Sequence, residues 1–243
     1  MVEIAYGDAA QQFGRLHLPE REGDTPLVVL IHGGFWRAPW DLELMTPLVQ
    51  SLTDRGWGVW NVEYRRVGDE DGGFPGTLED VAAAVDAVAG FADEYGIDTA
   101  EVAVVGHSAG GHLALWVAGR MSIAGGEVGA RPEVTPVVAV GQAPVADLAG
   151  ASTAGLGADA VTALLGVDPQ ADPDRLRAAQ PIVGSPVVNV VGGRDDIVPP
   201  EFSEFPGAAT VRIADADHFD LIDPDHEAWA AVLRVLEERL GGA

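Results

Sequence analysis

Residues 101–120 read EVAVVGHSAGGHLALWVAGR, and this stretch decides the fold because its pattern changes in the middle. Glu101–Gly106 is a short apolar run rich in valine, typical of a buried parallel strand, and it stops at a glycine. Beyond the serine, apolar residues take helical spacing at Leu113, Trp116 and Val117. The stretch therefore predicts a strand that turns directly into a helix.

The turn between these two elements carries the pattern Gly-x-Ser-x-Gly at Gly106, Ser108 and Gly110. A turn this sharp brings two backbones together, so a Cβ at either glycine would clash. The same turn holds Ser108 exposed in a strained conformation and aims the free N–H groups of the new helix at whatever the hydroxyl attacks. The pattern favours a nucleophilic serine, and a glycine-rich turn with an incidental serine is the alternative.

The composition excludes several classes of function. The 243 residues hold 14 Lys+Arg and 38 Asp+Glu, for a formal charge of −24, with no lysine and no cysteine. Such a surface repels nucleic acids and anionic membranes, so neither is expected as a partner. Without cysteine there is no disulfide, thiolate metal site or cysteine nucleophile.

The chain begins MVEIAYGDAAQQFGRL, without a basic region followed by an apolar stretch, and no apolar run approaches 18 residues. We therefore expect neither a signal peptide nor a membrane span. The expected location is the cytoplasm. Nothing in the sequence predicts an oligomeric state.

Elsewhere, short apolar runs alternate with helical patterns, which predicts a mostly parallel sheet with helices on both faces, an α/β fold. Val2–Tyr6 and Phe13–Leu18 are expected to form an antiparallel pair at the sheet edge. The further predicted strands are Pro26–Ile31, Trp57–Tyr64, Pro136–Gln142, Val187–Val191 and Ala209–Ala214. The predicted helices are Leu42–Leu52 capped by Asp41, a helix from a capping start at Thr77 to about Tyr95, and Pro224–Leu240.

We interpret residues 1–243 as a single domain. The long stretch 143–186 interrupts its alternation with small residues, prolines and two short helical patterns, Ala158–Leu165 and Asp174–Ala179. Because long loops in compact domains often carry function, 143–186 is predicted to be a helical insertion or lid near the site. A poorly ordered surface excursion is the alternative.

Acyl transfer by a serine needs a base beside it and a carboxylate that orients the base. Functional loops gather at the carboxyl ends of parallel strands, so the partners should follow strands. Asp195 follows one strand and His218 follows the last, and the chain order Ser108, Asp195, His218 is that of an α/β-hydrolase triad. Asp196 competes with Asp195 on this reasoning, and His226 is a weaker rival of His218 because it falls in a predicted helix.

The tetrahedral intermediate also needs hydrogen-bond donors for its oxyanion. The backbone N–H of Ala109 begins the nucleophile helix, and the glycine loop after Pro26–Ile31 offers those of Gly34 and Phe35. His32 is expected to fix this loop by hydrogen bonding. Trp36 and Trp40 suit contact with a flat substrate group, with a core role as the alternative.

Four segments carry a family resemblance: HGGFW at 32–36, GHSAGGHLA at 106–114, DDIVP at 195–199 and DHFDLI at 217–222. They resemble the corresponding motifs of kynurenine formamidases and related esterases of the α/β-hydrolase superfamily. The resemblance implies an α/β-hydrolase fold, and it places the catalytic aspartate on Asp195 and the histidine on His218.

These observations predict a serine hydrolase, without metal or cofactor, that acts on a small ester or amide substrate. The resemblance narrows this substrate to an aryl formamide. A general short-chain carboxylesterase or a small prolyl-oligopeptidase-like peptidase is the alternative, and a non-catalytic binding protein on the same fold is a third hypothesis. Metal catalysis is not expected because no His-Glu-x-x-His or comparable histidine pair occurs.

Overall fold

The structure is a computed structural model that describes residues 1–20, 23–182 and 184–240. Within these residues the strands are β1 (Val2–Ala5), β2 (Phe13–His17), β3 (Thr25–Ile31), β4 (Gly58–Val62), β5 (Ile97–His107), β6 (Val138–Gln142), β7 (Val187–Gly192) and β8 (Ala209–Ile213). They form one sheet in the order β1-β2-β4-β3-β5-β6-β7-β8. β2 pairs antiparallel with β1 and β4, and the other neighbours pair in parallel. The predicted mostly parallel sheet with an antiparallel edge is confirmed.

The centre of the sheet is covered on both faces, since every residue of β3, β4 and β6 is buried. The register aligns Ile31 at the end of β3 with Gly106 on β5, and Gly106 with Gly141 on β6. The loops that follow these strands therefore start at one edge of the sheet, where α/β proteins place their functional groups.

Helices connect the parallel strands and cover the sheet. They are α1 (Val49–Thr53), α2 (Gly76–Tyr95), α3 (Ala109–Gly119), α4 (Leu148–Thr153), α5 (Leu156–Leu165), α6 (Pro173–Ala179) and α7 (Glu227–Leu240). Helices α2 and α3 pack against β5 and against each other. Helix α7 packs on β5, β6 and β7, and its Trp229 Nε1 donates to Ser51 Oγ of α1 at 2.7 Å. No helix in the described ranges is long and apolar enough to cross a membrane.

The predicted helix Leu42–Leu52 is divided in two. Its first part, Leu42–Leu48, is a 3₁₀ helix that contains Pro47, and α1 follows it. Proline lacks an N–H and its ring collides with the preceding turn of an α-helix, which accounts for the division. Asp41 does cap the first part, because its side chain accepts a hydrogen bond from Glu43 N at 3.0 Å.

The predicted capping role of Thr77 is wrong. Helix α2 begins at Gly76, before Thr77, and Pro75 takes the capping position without a side-chain hydrogen bond. The Thr77 hydroxyl instead accepts from Gly73 N at 3.0 Å and donates to Arg65 O at 2.6 Å. It therefore ties the loop after β4 to the start of α2.

The segment 143–186, described except for residue 183, holds α4, α5 and α6, of which α4 was not predicted. Near its start α5 includes three residues with left-handed backbone, Gly157, Ala158 and Asp159. Arg37 Nη2 donates to Ala158 O at 2.8 Å, and a Cβ on Gly157 would lie 2.5 Å from Phe35 Cδ1. This segment therefore packs on the loop that follows β3.

Candidate active site

The turn from β5 to α3, residues 106–110, is called the elbow below. At its centre Ser108 has φ 57° and ψ −118°, a backbone conformation that is costly for any residue with a side chain. Ser108 N donates to Gln142 O on β6 at 2.7 Å, and Ser108 O accepts from His112 N at 3.1 Å. The strained conformation that the Gly-x-Ser-x-Gly pattern predicts is present and is held on both sides, but the predicted exposure of Ser108 is wrong, because the residue is buried at 2% exposure.

The two glycines of the elbow are required by close backbone approach. A Cβ on Gly106 would overlap the carbonyl of Gly110, and a Cβ on Gly110 would overlap the carbonyl oxygens of Ile31 and His32. The elbow therefore packs directly against the end of β3, and only glycine leaves the room for it.

Asp195 and His218 are hydrogen-bonded to each other at the carboxyl ends of β7 and β8. Asp195 Oδ2 accepts from His218 Nδ1 at 2.7 Å, while Oδ1 accepts from the N–H groups of Ile197 at 3.0 Å and Val198 at 2.8 Å. Both Asp195 and His218 are buried, whereas Asp196 is exposed. The structure thus gives Asp195, and not its neighbour, the contact with the imidazole.

A cavity of about 100 Å³ lies at this edge of the sheet, and both Ser108 and His218 line it. Asp195 lies behind the imidazole and is not part of the lining. Of the three residues predicted from chain order, Ser108 and His218 therefore face one cavity, and Asp195 contacts the imidazole. The other lining residues are Gly34, Phe35, Trp40, His107, Ile197 and Phe219.

His226, the rival of His218, does not line this cavity. The predicted helix start at residue 224 is also wrong, because α7 begins at Glu227 and His226 lies just before it. Its Nδ1 accepts from Ala228 N at 3.2 Å, which satisfies one of the free N–H groups at the helix start. His226 is therefore occupied as a cap.

The loop after β3, residues 32–40, is called the oxyanion loop below, after the donor role that the sequence predicts for it. Gly34, Phe35 and Trp36 have φ values of 106°, 52° and 55°, so the chain bends through three consecutive left-handed residues. Within the described residues, no hydrogen bond is formed by the N–H groups of Gly34, Phe35 or Ala109. Gly34 and Phe35 line the cavity, and Ala109 starts the helix behind Ser108.

The structure does not place Trp36 where the sequence predicted it. Trp36 is fully buried, its Nε1 donates to Ala109 O at 3.2 Å, and its ring packs edge-on to His112 at 5.2 Å. The aromatic side chains that do line the cavity include Trp40 and Phe219, which are 44% and 46% exposed. The left-handed turn directs Trp36 inward, to the core role that was its alternative.

His107 belongs to the site, although the sequence showed it only as a neighbour of the serine. Its Nε2 donates to His218 O at 3.0 Å, and the two rings lie 4.4 Å apart. Burial, and to a smaller extent the neighbouring His218 ring, lowers the pKa of His107 well below its ordinary value, so the His107 ring stays neutral. His107 thus supports the backbone of His218 without adding a competing charge.

Among the described residues, no group of three or more His, Cys, Asp or Glu side chains is arranged to hold a metal ion. The polar groups at the cavity are instead one serine, two histidines and backbone N–H groups. Such a set suits nucleophilic attack and proton transfer.

Known proteins with related sequences include a probable carboxylic ester hydrolase, LipM of Mycobacterium tuberculosis, 33% identical over 46% of this chain and 26% of that protein. The chain spans about a quarter of the length of the curated relatives it matches.

Two solved structures are also similar. A truncated carbohydrate esterase from gut microbiota has a TM-score of 0.83 at 18% identity, with 99% of this chain and 96% of that chain covered. Esterase B of Lactobacillus rhamnosis has a TM-score of 0.81 at 22% identity, with 98% and 86% covered. These neighbours agree with the strand order above, and the predicted α/β-hydrolase fold is confirmed.

A family profile, BD-FAE, matches residues 15–205. The match includes the oxyanion loop, the elbow and Asp195, and it ends before His218. Because it spans most of the 243 residues, this chain belongs to the BD-FAE family.

Proposed function

We propose that this chain is a serine hydrolase that cleaves small carboxylic esters, with Ser108 as nucleophile, His218 as general base and Asp195 as the orienting carboxylate. One observation carries the proposal. His218 Nδ1 donates to Asp195 Oδ2 at 2.7 Å, which leaves Nε2 as the lone-pair nitrogen of a ring that lines the same cavity as Ser108. A serine hydroxyl needs such a base near neutral pH.

In the first half of the reaction, Ser108 Oγ attacks the ester carbonyl carbon and its proton moves to His218 Nε2. The carbonyl π electrons move to oxygen and give a tetrahedral oxyanion. When the intermediate collapses, the bond to the alkoxy group breaks and the proton on His218 passes to the leaving oxygen. An alcohol departs and an acyl-Ser108 ester remains.

In the second half, a water molecule takes the place of the alcohol. His218 removes its proton while the oxygen attacks the acyl carbon, and the collapse returns that proton to Ser108 Oγ. The products are a carboxylic acid and the free enzyme. Asp195, held by two backbone N–H groups, keeps the ring in the required tautomer and stabilises its cationic form.

The backbone N–H groups of Gly34, Phe35 and Ala109 are the proposed donors to the oxyanion. Their support is that they are without a hydrogen-bond partner among the described residues and lie at or beside the cavity. A fixed donor of this kind contributes about 10²–10³-fold to the rate of acyl transfer. The positive φ of Phe35 is consistent with a backbone bent for function.

The cavity volume supports a short acyl group. At about 100 Å³ it is well below the roughly 300 Å³ at which pockets for drug-sized ligands begin, so it accommodates only a few heavy atoms. The narrower proposal is a formyl group on an aryl amine, as in kynurenine formamidases. The half-exposed rings of Trp40 and Phe219 favour it, because they offer flat surfaces to an aromatic leaving group.

Residues 1–243 are further proposed to form one domain in which the segment 143–186 walls the site. The support is direct contact with the oxyanion loop through Arg37–Ala158 and Phe35–Gly157. A lid in this position limits the size of the substrate.

The test is labelling with a fluorophosphonate, followed by hydrolysis assays. We expect one adduct, on Ser108, and loss of both labelling and p-nitrophenyl acetate hydrolysis in Ser108→Ala. Ser152→Ala, on α4, is the matched control and should behave as the wild type. A folded wild-type protein that neither labels nor hydrolyses would contradict the proposal and leave the binding-protein hypothesis.

Assays with a panel of substrates at equal enzyme concentration distinguish the proposed substrate classes. Activity on p-nitrophenyl acetate, butyrate and octanoate is expected to fall with chain length because the cavity is small. Comparison with N-formylkynurenine tests the narrower proposal, which negligible formamide cleavage would remove while leaving the ester hydrolase in place.

A further inference from the structure

Glu63 is a buried carboxylate that the mechanism above does not use. It follows β4, which lies beside β3 in the sheet, and only 3% of its surface is exposed. Burial of a carboxylate without partners is strongly unfavourable, so Glu63 requires neighbours that compensate its charge. Its Oε1 accepts from His32 Nε2 at 3.0 Å and from Tyr64 N at 2.9 Å, and it forms an ion pair with Arg66 Nη1 at 3.0 Å.

The carboxylate is therefore kept charged. Burial by itself raises the pKa of Glu63, but the hydrogen bond and charge of His32, with the N–H of Tyr64 and the charge of Arg66, outweigh it and lower the pKa below its ordinary value. At neutral pH Glu63 is an anion in a nearly dry setting, where hydrogen bonds to charged groups are strong.

The partner on the oxyanion loop, His32, contacts an oxygen atom with each of its ring nitrogens. Its Nδ1 lies 2.8 Å from Gly33 O and its Nε2 lies 3.0 Å from the Glu63 carboxylate. Both neighbouring atoms are oxygens, so His32 bridges the Glu63 carboxylate and the Gly33 carbonyl at the start of the loop.

The contact of His32 Nδ1 with Gly33 O also constrains the next N–H group, that of Gly34. The carbonyl of Gly33 and the N–H of Gly34 belong to the same planar trans peptide, so they point in opposite directions. A carbonyl held toward His32 Nδ1 therefore fixes the direction of the Gly34 N–H. This N–H is one of the proposed oxyanion donors.

The far end of the loop is held by the same carboxylate and its arginine. Glu63 Oε2 accepts from Leu42 N at 3.0 Å, and Arg66 donates to Trp40 O. At the near end the Tyr64 hydroxyl donates to His32 O at 2.7 Å, and the two rings stack at 4.3 Å. One buried charge cluster thus anchors both ends of a segment whose middle is in left-handed conformation.

We propose that Glu63 is a positioning residue of the oxyanion hole, which acts through His32 to aim the Gly34 N–H at the cavity. The proposal rests on the proposed function, because it assigns the purpose of that N–H to the ester reaction. Glu63 itself does not line the cavity and touches no reacting atom.

The chain supplies a matched control in Asp80. This carboxylate is 1% exposed and accepts from Arg65 N, Nε and Nη2 at 2.9, 2.8 and 2.6 Å, and from Gln12 Nε2 at 2.7 Å. None of these partners belongs to the oxyanion loop. Glu63→Gln and Asp80→Asn are therefore the same chemical change in two buried ion pairs, of which only one reaches the loop.

The experiment measures kcat, KM and thermal unfolding with p-nitrophenyl acetate, and inhibition by phenylboronic acid, which forms a tetrahedral adduct with serine nucleophiles. For Glu63→Gln we expect kcat to fall about 10²-fold, as when an oxyanion donor is lost, with KM changed less than threefold. Boronate affinity should weaken with kcat. Asp80→Asn should lower the unfolding temperature and leave kcat within twofold.

A second variant guards against misfolding. His32→Gln retains a donor nitrogen toward Glu63 but has no second donor nitrogen to hold Gly33 O at the same time, and we expect the same fall in kcat at unchanged KM. A folded Glu63→Gln or His32→Gln variant with wild-type kcat and boronate affinity overturns the inference, as does an equal loss of kcat in Asp80→Asn. If the wild type itself fails to hydrolyse esters, the proposed function fails, which is a different result.

Discussion

The elbow and the oxyanion loop follow two neighbouring strands, β5 and β3, yet different forces hold them. The elbow is fixed by backbone against backbone, with Gly110 in contact with the carbonyls that end β3. His107 in the elbow and His112 in the first turn of α3 are neutral and buried, and each donates one hydrogen bond to a carbonyl oxygen. The oxyanion loop is fixed by a buried cluster of charged side chains around Glu63.

The comparison teaches that the two halves of the site respond to different changes. The steric contacts of the elbow do not depend on charge. The elbow should therefore be insensitive to ionisation as long as the buried histidines His107 and His112 stay neutral. The loop tolerates small changes in packing but depends on a paired carboxylate. Changes in volume should therefore damage the first half, and changes in charge the second.

The largest effect is expected where a charge meets the proposed base. Asp195→Asn should lower kcat by about 10⁴-fold with p-nitrophenyl acetate, because an amide favours the wrong tautomer of His218. The fold should be retained, since Oδ1 still accepts from Ile197 and Val198. Steady-state kinetics and circular dichroism are the measurements.

Asp196→Asn is the control for that change, one residue away and exposed. It should leave kcat within twofold. Equal losses in the two variants would mean that the negative charge of this loop matters and not the contact with the imidazole.

The next effect is steric. Gly110→Ala should lower the free energy of unfolding by about 3 kcal/mol, at the upper end of overpacking changes, and reduce kcat at least tenfold because the new Cβ pushes the elbow away from Ile31 and His32. Urea unfolding and ester hydrolysis measure the two quantities.

Gly90→Ala is the matched glycine, exposed in α2 with no atom within 4 Å of the new Cβ. It should raise stability by about 0.5–1 kcal/mol, since alanine loses less backbone entropy than glycine in a helix. If Gly110→Ala behaves like Gly90→Ala, the steric account of the elbow is wrong.

The smallest effect concerns pH. Burial lowers the pKa of His112 to about 4, despite the opposing hydrogen bond to Ala179 O. Its folded pKa lies below the unfolded value of about 6.5, so its contribution to stability is complete above that value and is lost as the pH falls toward the folded pKa. Linkage gives a loss of about 1 kcal/mol by pH 5.5.

His112→Gln tests this window, because glutamine still offers a donor to Ala179 O and does not titrate. The difference in unfolding free energy between pH 7.5 and 5.5, measured in urea, should be about 1 kcal/mol smaller in the variant than in the wild type. Glu63, whose folded pKa is lowered, should contribute to acid sensitivity only below its unfolded value of about 4.3. Identical pH dependence in the two proteins would exclude the role of His112.

Much of the fold was predictable because its signals are local. Valine-rich runs, a glycine after a strand and helical spacing each lie within ten to twenty residues, and Glu101–Gly106 and the elbow were identified from them. The chain order of Ser108, Asp195 and His218 placed three distant residues at one edge because parallel strands end together. The contact of Asp195 with His218 agrees with that expectation.

What the sequence could not predict depends on direction or on contacts between strands. Trp36 and Trp40 are two tryptophans of the same loop, and the sequence does not show which of them reaches the cavity. Three consecutive positive φ values bury Trp36 and leave Trp40 half-exposed at the cavity. In the sequence, Glu63 is one acidic residue among many at a strand end. Its contact with the oxyanion loop follows only from the pairing of β4 with β3. His226 was assigned to a helix that begins one residue later.

The contact between Gly157 and the ring of Phe35 couples two properties that protein engineers usually treat apart. The helical segment that is proposed to wall the site packs against Phe35, whose backbone is proposed to stabilise the transition state. Exchanging the segment for one from a protein of related fold would therefore alter the proposed turnover together with substrate range. A functional exchange would have to include a matching residue at position 35, because the segment 143–186 and the oxyanion loop pack against each other and must be replaced together.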